Sequence, residues 1–306
     1  MYVGDIIIKP ENALLSQARN ACHHPGVIDP YGKRNIIVNG DGFGVAWYCE
    51  DEPREDGSCI FKIHTPAWSD PNILNIGRYI KSPVIMGHVR AAANGRNPLE
   101  PVVVSFQNCH PFKYGRYTFM HNGGIPSFET IKRDFCNMMN YKCFAGILGS
   151  TDSEHIFALF LSLLEDRDVA VSADTIACAL RDTFCSILSL CQKHEIQAAC
   201  SLNVCVTDGV HVVASRYRNS DAEPPSLYYS CGLDYSPCLG NFRDRRSCRN
   251  GGREVIITSS PLNLRGCVVD SPALAQTPSE SGEVENWRLI PKNHMLVCTG
   301  KSTPLT

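Results

Sequence analysis

Cys-x-x-Cys pairs are missing from this chain, although it holds sixteen cysteines in 306 residues. The run Cys178, Cys185, Cys191, Cys200, Cys205 also lacks metal-ligand spacing, which excludes the common structural zinc modules. A disulfide scaffold fits no better: Cys136, Cys143, Cys178 and Cys205 fall among apolar residues, where a reduced Cys packs as a small hydrophobe. The sequence shows no signal-peptide pattern and no apolar run long enough to span a bilayer. The expected setting is soluble, reducing and cytoplasmic, with no membrane partner. An excess of charge of one sign is absent as well. A net charge of -2 and a pI near 6.5 predict no pull toward nucleic acid or acidic membranes. No internal repeat is present.

With 43% hydrophobic and 20% charged residues, the composition is that of an ordinary globular protein. The spacing predicts a helix over Glu11 to Ala21, then a glycine-rich turn into a strand at Phe43 to Tyr48, paired with Ile60 to His64. Asp70 caps a helix running to about Ile80, and Val84 to Arg90 reads as a buried strand ending on arginine. Tyr117 to His121 is a further strand. Helices are expected over Phe128 to Met139, from the capping run Ser150 to Glu154 through Leu161, and over Ala173 to Lys193. Strands return at Leu202 to Val206, Val210 to Ala214, Leu227 to Cys231, Glu254 to Thr258 and His294 to Val297. Strands, then helices, then strands is an α+β layered pattern, not alternating βαβ units. We therefore expect one domain over residues 1–306, with surface loops or insertions at about 216–225, 240–253 and 272–285. The second of these carries Arg243, Arg245, Arg246, Arg249 and Arg253, read as a solvated loop.

Three places can carry chemistry. In Phe119-Met120-His121-Asn122-Gly123-Gly124 an apolar strand ends in an amide side chain and glycines. An Asn side-chain amide and a Gly backbone N–H can converge on an oxyanion, yet Asn-Gly is also a favoured hairpin turn. Arg90 closes an apolar strand, so its guanidinium needs a carboxylate, structural or ligand-borne. Asp152 is either a helix N-cap or the acceptor of an ammonium. Together the three would suit an α-amino acid whose side-chain carbonyl is attacked. Cys109 beside His110, and Cys22 beside His23 and His24, are poor nucleophile–base pairs, because neighbours on a strand point to opposite faces. No ligand spacing supports a metal site from His88, His110, His121 and Cys109.

Five blocks follow one another: Asn39-Gly40-Asp41-Gly42-Phe43-Gly44, Gly87-His88-Val89-Arg90-Ala91-Ala92, Asn108-Cys109-His110-Pro111-Phe112, Phe119-Met120-His121-Asn122-Gly123 and Thr151-Asp152-Ser153-Glu154. In this order the chain resembles the class II glutamine amidotransferases, which are N-terminal nucleophile hydrolases. It is most similar to their stand-alone branch, which includes a fungal glutathione-degradation subunit and an ergothioneine-pathway γ-glutamyl hydrolase. The resemblance implies a four-layer αββα sandwich of two antiparallel sheets and cleavage of γ-glutamyl amides through a thioester on an N-terminal cysteine. It further implies Asn122 and Gly123 as oxyanion hole, Arg90 on the substrate α-carboxylate, Asp152 on its α-amine, and Asp41 and Gly42 as the wall near the nucleophile. No cofactor is expected, and a peptidase-like protein partner is.

The chain departs from that pattern at its start. Residue 2 is Tyr, and Met1 to Asp5 resembles the stretch that follows the family's first strand. The expectation is a sandwich without its first strand and a chain inactive as given. Ala93 stands where the family often has Thr beside the substrate carboxylate. The alternative function is a non-catalytic homologue that binds a γ-glutamyl ligand or serves as subunit of a partner hydrolase.

Overall fold

The structure, a computed structural model, describes residues 1–21, 38–49, 57–91, 103–164, 168–231, 233–236, 241–244, 254–262, 283–284 and 287–300. Cys22, Ala93 and most of the 240–253 and 272–285 segments lie outside the described residues.

Three helices, α1 (Gly4–Ile7), α2 (Leu14–Arg19) and α3 (Asn72–Tyr79), cover one face of an antiparallel sheet. That sheet is formed by β1 (Phe43–Trp47), β2 (Cys59–Ile63) and β3 (Ile85–Val89), in the order β2-β1-β3. Alternation decides which side chains meet the helices. Phe43 and Val45 pack with Val3, Ile7, Ala18 and Ile73, joined by Phe61, Ile63, Ile85 and Val89.

A second antiparallel sheet has the order β14-β7-β6-β5-β4. Its strands are β4 (Phe112–Tyr114), β5 (Tyr117–Gly124), β6 (Ser201–Thr207), β7 (Val212–Arg216) and, from the end of the chain, β14 (His294–Cys298). Outside it lie α4 (Phe128–Asn137), α5 (Tyr141–Ala145), α6 (Asp152–Leu163) and α7 (Ala173–Lys193). Tyr117 and Phe119 of β5 and Leu202, Val204 and Val206 of β6 pack there against Ile131, Phe135, Ile156, Phe160 and Leu180.

The two sheets face each other across a polar layer. Tyr48 Oη lies 2.8 Å from Thr118 Oγ1, Ser58 Oγ lies 2.7 Å from the same hydroxyl, and the His88 and His110 rings meet at a tilt with centroids 4.3 Å apart. Helices, sheet, sheet, helices is the αββα order expected, with each apolar core on an outer side. A four-stranded sheet in the order β11-β8-β13-β12 joins β8 (Tyr228–Cys231), β11 (Val255–Thr258), β12 (Glu283–Val284) and β13 (Trp287–Leu289). A separate hairpin pairs β9 (Leu233–Ser236) with β10 (Asn241–Asp244).

Some expectations need correcting. The first long helix is shorter, because Asn12 N–H donates to the Leu262 carbonyl at 3.0 Å and its Nδ2 to Pro261 O at 2.7 Å, which hold residues before Leu14 out of a helix. Arg216 is not a loop residue. It ends β7 at 4% exposure, its guanidinium spent on Glu223 and the carbonyls of Pro224, Pro225 and Ile290. Residues 241–244 form a strand, so the arginine-rich segment begins as half a hairpin. Cys178 is exposed on α7, not a core residue.

Candidate functional site

At the open end of the first sheet the chain continues its pairing one step past Phe43 and Val89. Asp41 N–H donates to Arg90 O at 2.9 Å and Arg90 N–H donates to Gly42 O at 2.8 Å. Gly42 holds φ at 148°, and a Cβ there would press on Cys109 Sγ, so only glycine lets strand and thiol pass this closely. His88 faces the inner layer through its ring contact with His110, and Arg90, two residues on, shares that face. Arg90 Nη2 donates to Val103 O at 3.3 Å; Nη1 is buried and has no hydrogen-bond partner among the described residues. A buried donor left unmade costs about 1–3 kcal/mol, more when charged, so this nitrogen is poised for an acceptor.

Asn122 and Gly123 lie within β5, not in a turn: Asn122 pairs with Asn203, Gly123 with Leu202 and Gly124 with Ser201. The hairpin reading is thereby removed. Thr118 reaches the opposite sheet, so alternation turns Asn122 toward the same layer as Arg90. Gly123 takes φ of 148°, and a Cβ on it would collide with the Ser201 carbonyl. Both residues are exposed at the strand's end.

Asp152 begins α6, but Thr151 is the cap: its Oγ1 accepts from Glu154 N–H at 3.3 Å. The Asp152 carboxylate is therefore free of capping. Its Oδ2 accepts Ile125 N–H at 2.9 Å, which ties the helix start to the chain just after β5. Asn108, buried and not singled out by the sequence reading beyond its motif, braces the two halves. Its Nδ2 donates to Val103 O at 3.2 Å and to Ser150 Oγ at 3.1 Å, while its Oδ1 accepts Ser150 N–H at 2.9 Å. The Arg90-bound segment is thus pinned to the approach to α6. Glu154 accepts Leu148 N–H at 3.0 Å and Gly149 N–H at 2.6 Å, an equally structural use.

Three histidines adjoin these residues: His88 and His110 in the layer between the sheets, and His121 on the face of β5 turned to α6. Burial, with the nearby His121, pushes the His88 pKa down to about 4. Burial, then the neighbouring His88, His121 and Arg90, holds His110 well below its ordinary value; neither of its ring nitrogens has a partner among the described residues. His121 is lowered by burial against the opposing pull of Asp152. Neutral imidazoles next to Arg90 avoid a cluster of like charge.

Cys109 is a poor nucleophile. Burial raises its pKa despite Arg90 and Lys62, its Sγ lies against the carbonyls of Ser105 and Ile63, and the His110 ring lies on His88 and Phe112 instead. Among the described residues no group of three His, Cys, Asp or Glu can hold a metal ion. No helix of the described residues is long and apolar enough to cross a membrane.

The family pattern for class II glutamine amidotransferases matches residues 31–224. The probable glutamine amidotransferase DUG3 of Saccharomyces cerevisiae is 40% identical over 279 residues, covering 86% of this chain and 70% of the yeast protein. An uncharacterised protein of Methanocaldococcus jannaschii is 26% identical over 194 residues, 60% of this chain and 46% of its own length. Among solved structures, a glutamine aminotransferase class-II domain protein from Silicibacter pomeroyi superposes with a TM-score of 0.50 at 27% identity, covering 71% of this chain and 80% of that one. A matched span of this length, together with the yeast relative, makes this chain a member of the class II glutamine amidotransferase family.

Proposed function

We propose that this protein belongs to a machinery that binds the γ-glutamyl half of glutamine or a γ-glutamyl peptide and cleaves its amide through a thioester. The buried Arg90 Nη1, lacking an acceptor among the described residues, carries the reading. A substrate α-carboxylate is the acceptor that suits a guanidinium. Asp152, whose Oδ2 accepts Ile125 N–H, takes the α-ammonium on Oδ1, which lies 3.3 Å from Ser153 Oγ. Asn122 Nδ2 and the Gly123 N–H hold the oxygen of the tetrahedral intermediate, and Asp41 with Gly42 walls the reacting centre.

The nucleophile in this reading is a cysteine thiol on a strand N-terminal to Met1, with its own α-amine as base. The thiol sulfur bonds to the γ-carbonyl carbon and its proton passes through the amine to the leaving nitrogen. The carbon–nitrogen bond then breaks, and water resolves the thioester to glutamate and thiol. What supports an additional strand is a pair of edges: β3 and β11 each have a paired neighbour on one side only among the described residues. Ile6 of α1 packs on both the β1–β3 core and the Ile256, Leu262, Trp287 cluster, so one helix already spans the first sheet and the four-stranded sheet.

The test is a chain extended at its N-terminus by a Met-Cys-Arg-type strand. It should release glutamate from glutamine or glutathione, and a thiol-reactive glutamine analogue should label the added cysteine. A folded extended chain that releases no glutamate from either substrate refutes the proposal.

A further inference from the structure

Behind the oxyanion residues, three side chains and one carbonyl form a line whose protons can be counted. His121 Nε2 lies 3.2 Å from the Ser201 carbonyl oxygen, and its Nδ1 lies 2.9 Å from Ser153 Oγ. Ser153 Oγ is also 3.3 Å from Asp152 Oδ1, while Asp152 Oδ2 accepts Ile125 N–H at 2.9 Å. His121 and Ser153 are buried at 3% and 6% exposure, so no bulk water resolves a mismatch. With the ring neutral, the line has one proton too few to satisfy every contact at once.

A carbonyl only accepts, so Nε2 facing Ser201 must carry a proton. Burial disfavours the charged ring, which leaves Nδ1 as a lone pair needing a donor. Ser153 has one hydroxyl proton and two acceptors competing for it. The nearer acceptor is Nδ1. Giving the proton to Asp152 instead would leave the Nδ1 lone pair against the hydroxyl oxygen in a buried place, the costlier arrangement.

We propose that His121 is a positioning residue: as the Nε2–H tautomer fixed by Ser201 O, it takes the Ser153 proton and keeps Asp152 Oδ1 uncapped for a substrate ammonium. Without it, the hydroxyl would turn to the adjacent carboxylate and occupy the oxygen that the ammonium needs. Ser201 is itself set by strand pairing, since it lies opposite Gly124 at the end of β5. The ladder that presents Asn122 and Gly123 thus also chooses the tautomer. The last clause rests on the ammonium role of Asp152 proposed above; the tautomer and the proton count do not.

The arrangement is read by 15N NMR of the ring nitrogens in the unliganded chain at neutral pH. The expected spectrum has a protonated, pyrrole-type Nε2 and a hydrogen-bonded, pyridine-type Nδ1 for His121. Ser153→Ala should shift Nδ1 to the value of a free lone pair and leave the tautomer unchanged, and Ser153→Thr should restore the original value. An Nδ1–H tautomer, a doubly protonated ring, or an Nδ1 signal indifferent to Ser153→Ala would overturn the proposal.

A second arm reads the carboxylate. His121→Phe should move the Asp152 carboxyl 13C resonance, and the movement should vanish in His121→Phe/Ser153→Ala, where no hydroxyl remains to cap it. An equal movement in the double variant overturns the proposal, and if His121→Phe does not fold, the Ser153 variants decide alone. None of these readings involves a γ-glutamyl ligand, so their failure is separate from a failure of the extended chain to release glutamate.

Discussion

Gly123 shows how little freedom the site leaves a single residue. Its φ of 148° belongs to the region that favours glycine, and the Ser201 carbonyl occupies the place of any Cβ. Gly123→Ala should lower stability by about 1–3 kcal/mol from backbone strain, read by denaturant unfolding, and should abolish glutamate release by the extended chain. Arg90 makes a sharper test of chemistry. Arg90→Lys keeps the charge but loses the planar fork, so KM for glutamine should rise about 10- to 150-fold, the range of a charged hydrogen bond, while the melting temperature stays near that of the parent. An unchanged KM would remove the carboxylate role. Arg90 was legible in the sequence because an arginine ending the apolar run Val84 to Val89 violates the pattern around it. The His121–Ser153 contact was not, since 32 positions separate the two and neither residue breaks its local pattern. Nor could sequence separate a turn from a strand at Asn122, because the deciding partners, Asn203 and Leu202, lie eighty residues away.

Elements differ in how far they explain themselves. Helix α7 matches its sequence reading at both ends: Ser172 accepts Thr175 N–H at 3.1 Å as N-cap, and the apolar positions recur every three or four residues. Helix α1 has no signature in the sequence. Four residues starting with glycine and ending in isoleucines have no local reason to be helical, and it holds by burying Val3 and Ile7 against β1 and α3. Helix α6 lies between these cases, and its start is where element and site meet. Because Thr151, not Asp152, caps it, the two roles can be separated by mutation. Thr151→Ala should cost about 1 kcal/mol of stability, measured by urea unfolding, with a small effect on substrate KM. Asp152→Asn should do the reverse, raising KM for glutamine far more than it lowers stability. Equal losses of stability in both would mean that Asp152 serves the helix and not a ligand.

Across the whole molecule, the apolar cores lie outside the two sheets, and the layer between them is held by hydroxyls, imidazoles and a guanidinium. Sequence alternation shows only that each strand has two unlike faces; which face meets the other sheet depends on helices placed far along the chain. A polar interior of this kind ties stability to pH. His88, His110 and His121 all have pKa values lowered by burial, His88 to about 4, against roughly 6.5 in an unfolded chain. Above the unfolded value both states are neutral and stability is fully present. As pH falls from about 6.5 toward 4, the unfolded chain takes up protons that the folded protein refuses, so stability drops, and for His88 the loss levels off once its folded form also charges. Each histidine that stays neutral in the fold contributes a slope of up to about 1.4 kcal/mol per pH unit. His110 isolates the effect, because neither ring nitrogen has a partner among the described residues and a phenyl ring can occupy the space between His88 and Phe112. His110→Phe should be at least as stable as the parent at neutral pH, since it removes two unmet polar atoms from a buried place. Between pH 6.5 and 5 its unfolding free energy should fall by one proton's slope less than the parent's. Parallel stability curves for the two proteins would show that His110 is not held neutral, and that the layer between the sheets admits charge at this point.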